Sequence, residues 1–172
     1  RETLLLAHDS DYVDGFLRGT LSEKEMRRIG LTPWTPKMIE RTLRLTGGAV
    51  EATIHAVENG GVTGNMAGGT HHAHRDYGSG YCVFNDLAIS ALYALENLGV
   101  KRVAILDLDV HQGDGSATIL SNEERTRTIS VHCATNFPFR KSVSDFDLPV
   151  EPLAGDEDYL KIVRESLEIC LD

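Results

Sequence analysis

The chain has 172 residues, of which 41% are hydrophobic and 25% are charged, and its formal net charge is −9 at pH 7. These values are typical of a soluble globular protein with a single domain. The acidic charge argues against nucleic acid or an anionic membrane surface as the main partner. The longest apolar runs fall short of the roughly 18–20 residues that span a bilayer. Three cysteines without a Cys-x-x-Cys spacing favour free thiols in a reducing, cytoplasmic compartment.

The first third of the chain carries signals for helices. A short helix is expected over about 9–18, with a polar capping residue at its start. The pair Ser22 and Glu25 has the spacing of a capping box and predicts a second short helix. Pro36 suits the first turn of a longer helix, which the sequence Asn-Gly-Gly ends at 59–61.

After residue 61 the pattern changes to strands alternating with helices. Such alternation favours an α/β domain with a mainly parallel sheet. Ligands bind such sheets at the carboxyl ends of the strands, so the loops 68–81 and 107–115 should open at one edge. The predicted elements are a strand over 62–67, a helix over 86–98, a strand over 102–110, a helix over 115–120, a strand over 126–132 and a helix over 156–171.

Residues 68–81 read GGTHHAHRDYGSGY, a glycine-rich stretch that contains the adjacent histidines His71 and His72. Neighbouring side chains point to opposite faces of a strand and diverge by about 100° on a helix. Two adjacent imidazoles therefore share one target only where the backbone is irregular, as these glycines favour. Taken alone, the two histidines favour a buried structural pair, and only the second polar stretch changes this interpretation.

A second polar stretch, LDLDVHQGDG, covers residues 106–115. At the period of a strand, Asp107, Asp109 and His111 share one face. Aspartates inside an apolar strand are costly to bury unpaired, and a divalent cation would offset that cost. Zinc accepts carboxylate oxygen and imidazole nitrogen, so Asp109 and His111 are predicted to be two of its ligands. A polar cluster at the strand end without a metal is the alternative.

The two stretches together predict two His–Asp pairs beside one metal ion. Asp107 and Asp114 are candidate acceptors for the N–H groups of His71 and His72, which would fix the tautomers of both rings. Asp114 also suits a helix N-cap, and the two roles are compatible. A metal ion that activates water, with an imidazole to carry the proton, is the equipment of metal-assisted hydrolysis.

Four segments resemble the histone deacetylase family: GGTHHA, GSGYCVFND, LDLDVHQGDG and SVHCATNFPFRKSVSDFDLP. The resemblance is closest to the bacterial and class IV-like branch, and it runs in order through most of the chain. It implies the arginase/deacetylase-type fold, a three-layer α/β/α sandwich around a mainly parallel sheet. Because family domains are longer than this chain, residues 1–172 are expected to be the N-terminal part of one deacetylase domain.

The resemblance also implies an activity and a set of site residues. Family members are zinc-dependent amidohydrolases that remove acetyl, or longer acyl, groups from lysine side chains or small amines. Tyr81 and Phe137 match the aromatic positions of the acyl-lysine channel, and Gly80 matches a glycine whose carbonyl accepts from the substrate amide. The resemblance implies that His72, bonded to Asp114, transfers the proton, and that His71, bonded to Asp107, gives electrostatic support. It implies Asp109 and His111 as zinc ligands. It also implies a structural potassium site at Asp107, Asp109, His111, Ser130 and Val131.

Two family residues lie beyond the last residue of this chain. They are a third zinc ligand, an aspartate, and a tyrosine near the C terminus that polarises the substrate carbonyl. The expected partner is an acetylated lysine in a peptide or protein, or a small acetylated amine, and a homo-oligomer is a further possibility. The alternatives are an arginase-like ureohydrolase with two manganese ions, and an incomplete copy that binds acetyl-lysine or a partner protein without turnover.

Overall fold

The computed structural model describes residues 1–171, which form one parallel sheet of three strands with helices packed around it. Five helices precede the first strand, and an irregular segment over 60–85 separates the fourth helix from the fifth. The elements in chain order are α1 (Glu2–Leu5), α2 (Ser10–Arg18), α3 (Glu23–Ile29), α4 (Pro36–Asn59), α5 (Asp86–Asn97), β1 (Val103–Asp107), α6 (Asp114–Leu120), β2 (Thr126–Cys133), β3 (Phe146–Val150) and α7 (Asp156–Leu171).

The sheet has the order β1-β2-β3, and both neighbouring pairs of strands are parallel. Helices cover both of its faces. Ile105 and its ladder partner Thr128 point to one face, where Ile105 joins the core formed with α5 and α6. Ala104 and its partner Arg127 point to the other face, where Arg127 donates a hydrogen bond to the carbonyl of Ile169 in α7 at 2.8 Å. The predicted α/β/α layering is therefore present, in a sheet of three strands within residues 1–171.

The N-terminal helices begin where the sequence signals place them. Ser22 and Glu25 form the predicted capping box, in which each side chain bonds to the backbone N–H of the other. Pro36 is the first residue of α4, and that helix ends at the glycine pair 60–61. These helices follow local rules, because the end of a helix must satisfy N–H and C=O groups that lack partners within it.

The strand predicted over 62–67 is wrong, because this segment is irregular. Its polar side chains bond to α4 and not to a neighbouring strand. The hydroxyl of Thr63 donates to the carbonyl of Ala52 at 2.6 Å, and the amide of Asn65 donates to that of Leu45 at 2.8 Å. Residues Val62 and Met66, which the pattern placed in a buried strand, are fully exposed.

Three further elements differ from the expectation. Strand β1 ends at Asp107 and does not continue to Val110, and β3 was not predicted. In α7, the buried position is Ser166, whereas Leu160 and Leu167, which the helical spacing of apolar residues would place on the packed face, are exposed. Within residues 1–171, no helix is both long and apolar enough to cross a membrane.

His8 lies in an aromatic part of the core and ties the N-terminal helices to the loop 68–81. Its Nδ1 lies 2.9 Å from the carbonyl oxygen of His74, and its Nε2 accepts from the backbone N–H of Asn85 at 2.9 Å. The ring packs on Phe84 with a centroid distance of 5.1 Å. An Nε2 that accepts a hydrogen bond requires a neutral ring. Burial lowers the pKa of His8 to about 4, in agreement with this pattern of bonds.

Stability should therefore fall as the pH falls from about 6.5 towards about 4. In this window the unfolded chain takes up a proton on His8 and the folded chain does not, which costs up to about 3 kcal/mol. The check is the free energy of unfolding from urea titrations at several pH values. The variant His8→Gln, which has no titrating ring here, should depend less on pH over this window. An equal pH dependence in both proteins would contradict the prediction.

Candidate active site

The loop 68–81 is irregular and is held at the carboxyl end of β1 by the start of α5. Asn85 caps α5 by accepting from the N–H of Ala88, and its amide nitrogen lies 3.2 Å and 3.1 Å from the carbonyls of His71 and Ala73. The next residue, Asp86, accepts the backbone N–H of Thr70 at 2.7 Å. Both side chains are buried, so they fix the loop backbone directly before and after the adjacent histidines.

His71 pairs with the aspartate that ends β1. Its Nδ1 lies 2.5 Å from Oδ2 of Asp107, and both side chains are more than 90% buried. Nε2 of the same ring lies 3.8 Å from Oδ1 of Asp109. Since a carboxylate only accepts, the Nδ1–H of His71 donates to Asp107.

His72 pairs with the aspartate that begins α6. Its Nδ1 lies 2.6 Å from Oδ1 of Asp114, and both side chains are again more than 90% buried. The rings of His71 and His72 lie with their centroids 4.1 Å apart at an angle of 48°. The irregular backbone therefore brings two adjacent imidazoles side by side, each with its own carboxylate from a different element.

Asp109 and His111 lie in the loop after β1 and not on one face of a strand, as the sequence reasoning had placed them. Oδ1 of Asp109 accepts the backbone N–H of His111 at 2.8 Å and lies 2.9 Å from Nδ1 of its ring. The Asp109 side chain is 51% exposed and that of His111 is 37% exposed. The ring of His111 has its centroid 5.6 Å from that of His72.

This pair supplies the oxygen and nitrogen donors that zinc prefers, next to the two His–Asp pairs. Within the described part of the chain, no three His, Cys, Asp or Glu side chains lie close enough to hold a metal ion. The donor chemistry of Asp109 and His111 fits a zinc ion, and these two are fewer than the three protein ligands of a usual catalytic zinc site.

The pKa values of His71 and Asp114 are shifted in opposite directions by their partners. Burial alone would lower the pKa of His71, but the hydrogen bond and charge of Asp107 outweigh it and hold the pKa above its usual value. Burial would raise the pKa of Asp114, but hydrogen bonds from His72 and His74 lower it to about 2. Asp114 is therefore a hydrogen-bond acceptor at any ordinary pH, and Asp107 makes His71 hold its proton more tightly than an ordinary imidazole does.

We compared the chain with known protein families and structures. The family model described as the histone deacetylase domain matches residues 1–172. The chain belongs to the histone deacetylase family.

Relatives and solved structures agree with this assignment. The chain is 45% identical over 98% of its length to an uncharacterized protein of Picosynechococcus, of which it covers 55%. It is 29% identical over 96% of its length to histone deacetylase 2 of Arabidopsis thaliana, and covers 45% of it. Among solved structures, a histone deacetylase homolog from Aquifex aeolicus has a TM-score of 0.81 at 26% identity, covering 98% of this chain and 50% of that one.

These shares show that the chain spans about half the length of the curated relatives it matches. The fold is that of histone deacetylase homologs, as the sequence resemblance implied. Membership of this family favours the deacetylase interpretation over the arginase-like one.

Two of the three residues that the resemblance assigned to substrate binding, Gly80 and Phe137, lie next to His72. Phe137 has its ring centroid 4.8 Å from that of His72 and 6.0 Å from that of His111. Gly80 has a φ of +53°, and a Cβ added to it would lie 2.6 Å from Cδ2 of His72, so only glycine fits there. Tyr81 is 71% exposed, and its ring lies against Gly30.

The residues assigned to a structural potassium site are only partly brought together. Asp107 and Ser130 are directly opposite in the ladder between β1 and β2, and Val131 follows in the same buried strand. Asp109 and His111 lie beyond the end of β1. The potassium site stays a prediction.

The sequence reasoning missed two residues of this candidate site. Asn85 is not among the predicted site residues, yet it holds the backbone on either side of His72. His74 is not among the predicted site residues, yet its Nε2 lies 3.1 Å from the second oxygen of Asp114. The signal for His74 was its place in HHAH, two positions after His72.

Proposed function

We propose that the whole protein is a zinc-dependent amidohydrolase that removes acetyl or longer acyl groups from lysine side chains or small acetylated amines. The observation that carries this proposal is the pairing of His71 with Asp107 and of His72 with Asp114, next to the carboxylate and imidazole of Asp109 and His111. Membership of the histone deacetylase family supports the same reaction.

Asp109 and His111 would hold the zinc ion together with a ligand from outside the described residues. Their side chains are accessible, unlike those of the two His–Asp pairs. When bound, zinc lowers the pKa of a water molecule and polarises the substrate carbonyl.

His72 is the group proposed to move the proton. Its Nδ1–H is committed to Asp114, so the neutral ring presents Nε2 as an acceptor. Nε2 can then take a proton from the attacking water and return it to the nitrogen of the leaving amine. Asp114 keeps the tautomer correct and stabilises the cationic ring between these two transfers.

His71 is proposed to give electrostatic support. Burial lowers its pKa, but the hydrogen bond and charge of Asp107 and the charge of Asp109 raise it on balance. An imidazole N–H held in this place would stabilise the negative charge that develops on the acyl oxygen during attack.

The proposal also covers how the substrate is bound, which partners are expected and where the protein acts. Gly80 would accept a hydrogen bond from the substrate amide through its carbonyl, while Tyr81 and Phe137 would line the path of the acyl-lysine chain. We propose an acetylated peptide, protein or small amine as partner, and not nucleic acid, because the chain is acidic. The free cysteines suit a cytoplasmic location.

The test is metal content and hydrolysis with the full-length protein. We expect about one zinc ion per chain, and release of acetate from an acetyl-lysine peptide. Removal of the metal with a chelator should abolish hydrolysis, and addition of zinc should restore it. Two manganese ions per chain, or a zinc-loaded protein that hydrolyses neither an acetyl-lysine peptide nor an acetylated polyamine, would overturn the proposal.

A further inference from the structure

His74 shares the carboxylate of Asp114 with His72. Nδ1 of His72 lies 2.6 Å from Oδ1, and Nε2 of His74 lies 3.1 Å from Oδ2. The side chain of His74 is 12% exposed and that of Asp114 is 9% exposed, so water has little access to either contact. The carboxylate is therefore held by one imidazole at each oxygen.

The bonds of His74 determine where its ring carries hydrogen. An ionised carboxylate only accepts, so Nε2 of His74 must be the donor to Asp114. Nδ1 lies 2.8 Å from Oγ1 of Thr118 in α6, whose hydroxyl can donate to it when the ring is neutral. The Nε2–H is thus directed at Asp114 whether the ring is neutral or charged.

The ring of His74 is also fixed in orientation. It stacks on the ring of Tyr77 with a centroid distance of 4.4 Å and an angle of 23°, and the Arg28 guanidinium lies 3.2 Å from the centre of the Tyr77 ring. The backbone N–H of His74 donates to the carbonyl of Tyr77 at 2.9 Å. A donor on a ring braced in this way can in turn orient the group it bonds to.

We propose that His74 is a positioning residue for His72, acting through Asp114. By holding Oδ2, it keeps the carboxylate plane turned so that Oδ1 faces Nδ1 of His72, which leaves Nε2 of His72 as the proton acceptor. Without His74, the carboxylate can rotate about its Cβ–Cγ bond, and the ring of His72 then leaves its productive orientation for part of the time. This inference rests on the proposed function, in which His72 moves the proton.

Two substitutions separate this role from a merely structural one. The amide nitrogen of glutamine lies near the place of Nε2 and can still donate to Asp114. The amide of asparagine lies near the place of Nδ1, so it reaches Thr118 but not Asp114. We therefore expect His74→Gln in the full-length enzyme to keep most of its kcat, and His74→Asn to lose about tenfold in kcat with KM unchanged.

The control is His55→Leu, which changes an exposed histidine of α4. A structural role through Thr118 predicts the opposite order, with asparagine better than glutamine, and that order would overturn the proposal. So would wild-type kcat in both His74 variants. If the protein hydrolyses acetyl-lysine but His72→Ala does so equally well, the failure lies with the proposed function.

A second readout does not depend on turnover. The Nδ1 proton of His72, bonded to a buried carboxylate, should give a protected downfield resonance in the proton NMR spectrum, assigned by its absence in His72→Phe. We expect this resonance to shift and to exchange faster with water in His74→Asn, and to stay close to the wild-type position in His74→Gln and His55→Leu. A resonance unchanged in His74→Asn would overturn the inference even if the protein proved inactive on every acetylated substrate.

Discussion

His72→Ala is expected to lower kcat for the hydrolysis of an acetyl-lysine peptide by about 10²–10⁴-fold, the usual contribution of a general acid–base group. The reason is that His72 is the imidazole whose Nδ1 is bonded to Asp114 and whose ring also neighbours His111 and Phe137. Alanine leaves neither an acceptor for the water proton nor a donor for the leaving amine. The measurement is steady-state kinetics of the full-length protein with saturating zinc.

The comparison with His71 makes this prediction sharper. His71→Ala removes a ring held by Asp107 but, in the proposed mechanism, no proton transfer, so its loss in kcat should be the smaller of the two. His55→Ala, a change on the exposed face of α4, should leave kcat unaltered. The division of roles would be refuted by a larger loss in His71→Ala than in His72→Ala. Zinc content must be equal in all variants for the comparison to hold.

The parts of the fold that could be predicted are those that follow local rules. The capping box at Ser22 and Glu25 and the proline at the start of α4 depend on backbone groups a few residues away. The continuous apolar run over 103–106 correctly predicts β1, because such runs are typical of strands in parallel sheets, although Ala104 on one face of this strand is exposed. In contrast, the segment 62–67 has the composition of a strand, but its conformation depends on bonds from Thr63 and Asn65 to a helix remote in sequence.

The same distinction applies to the candidate site. The pairing of histidines with aspartates could be predicted from their residue types and spacing, although one premise was wrong: the loop 68–81 follows no strand and is held at the end of β1 by Asn85 and Asp86. The distances within the site could not, since β1 ends at Asp107 and the next four residues leave the pleat of the strand. The contact of His74 with Asp114 depends on how α6 is placed against the loop, for which periodicity gives no signal.

Gly115 is the position at which that placement of α6 is most sensitive to substitution. It lies in the first turn of α6, where a Cβ would overlap the carbonyl oxygen of Ala73 and lie 2.6 Å from that of His71. The following residue, Ser116, donates its N–H to the same carbonyl of His71 at 3.1 Å. The helix therefore meets the histidine loop backbone to backbone, with no flexible side chain at the contact to give way.

Gly115→Ala should destabilise the protein by about 3 kcal/mol, the upper part of the usual range for overpacking, because both obstructing atoms belong to the backbone. The matched control is Gly47→Ala in α4, where a Cβ has open space and alanine should stabilise the helix by about 1 kcal/mol. Urea unfolding followed by circular dichroism gives both values. Equal stability of Gly115→Ala and wild type would show that α6 can move away from the loop. In that case the Asp114–His72 distance, and the aim of the proposed proton carrier, would not depend on a rigid contact at this glycine.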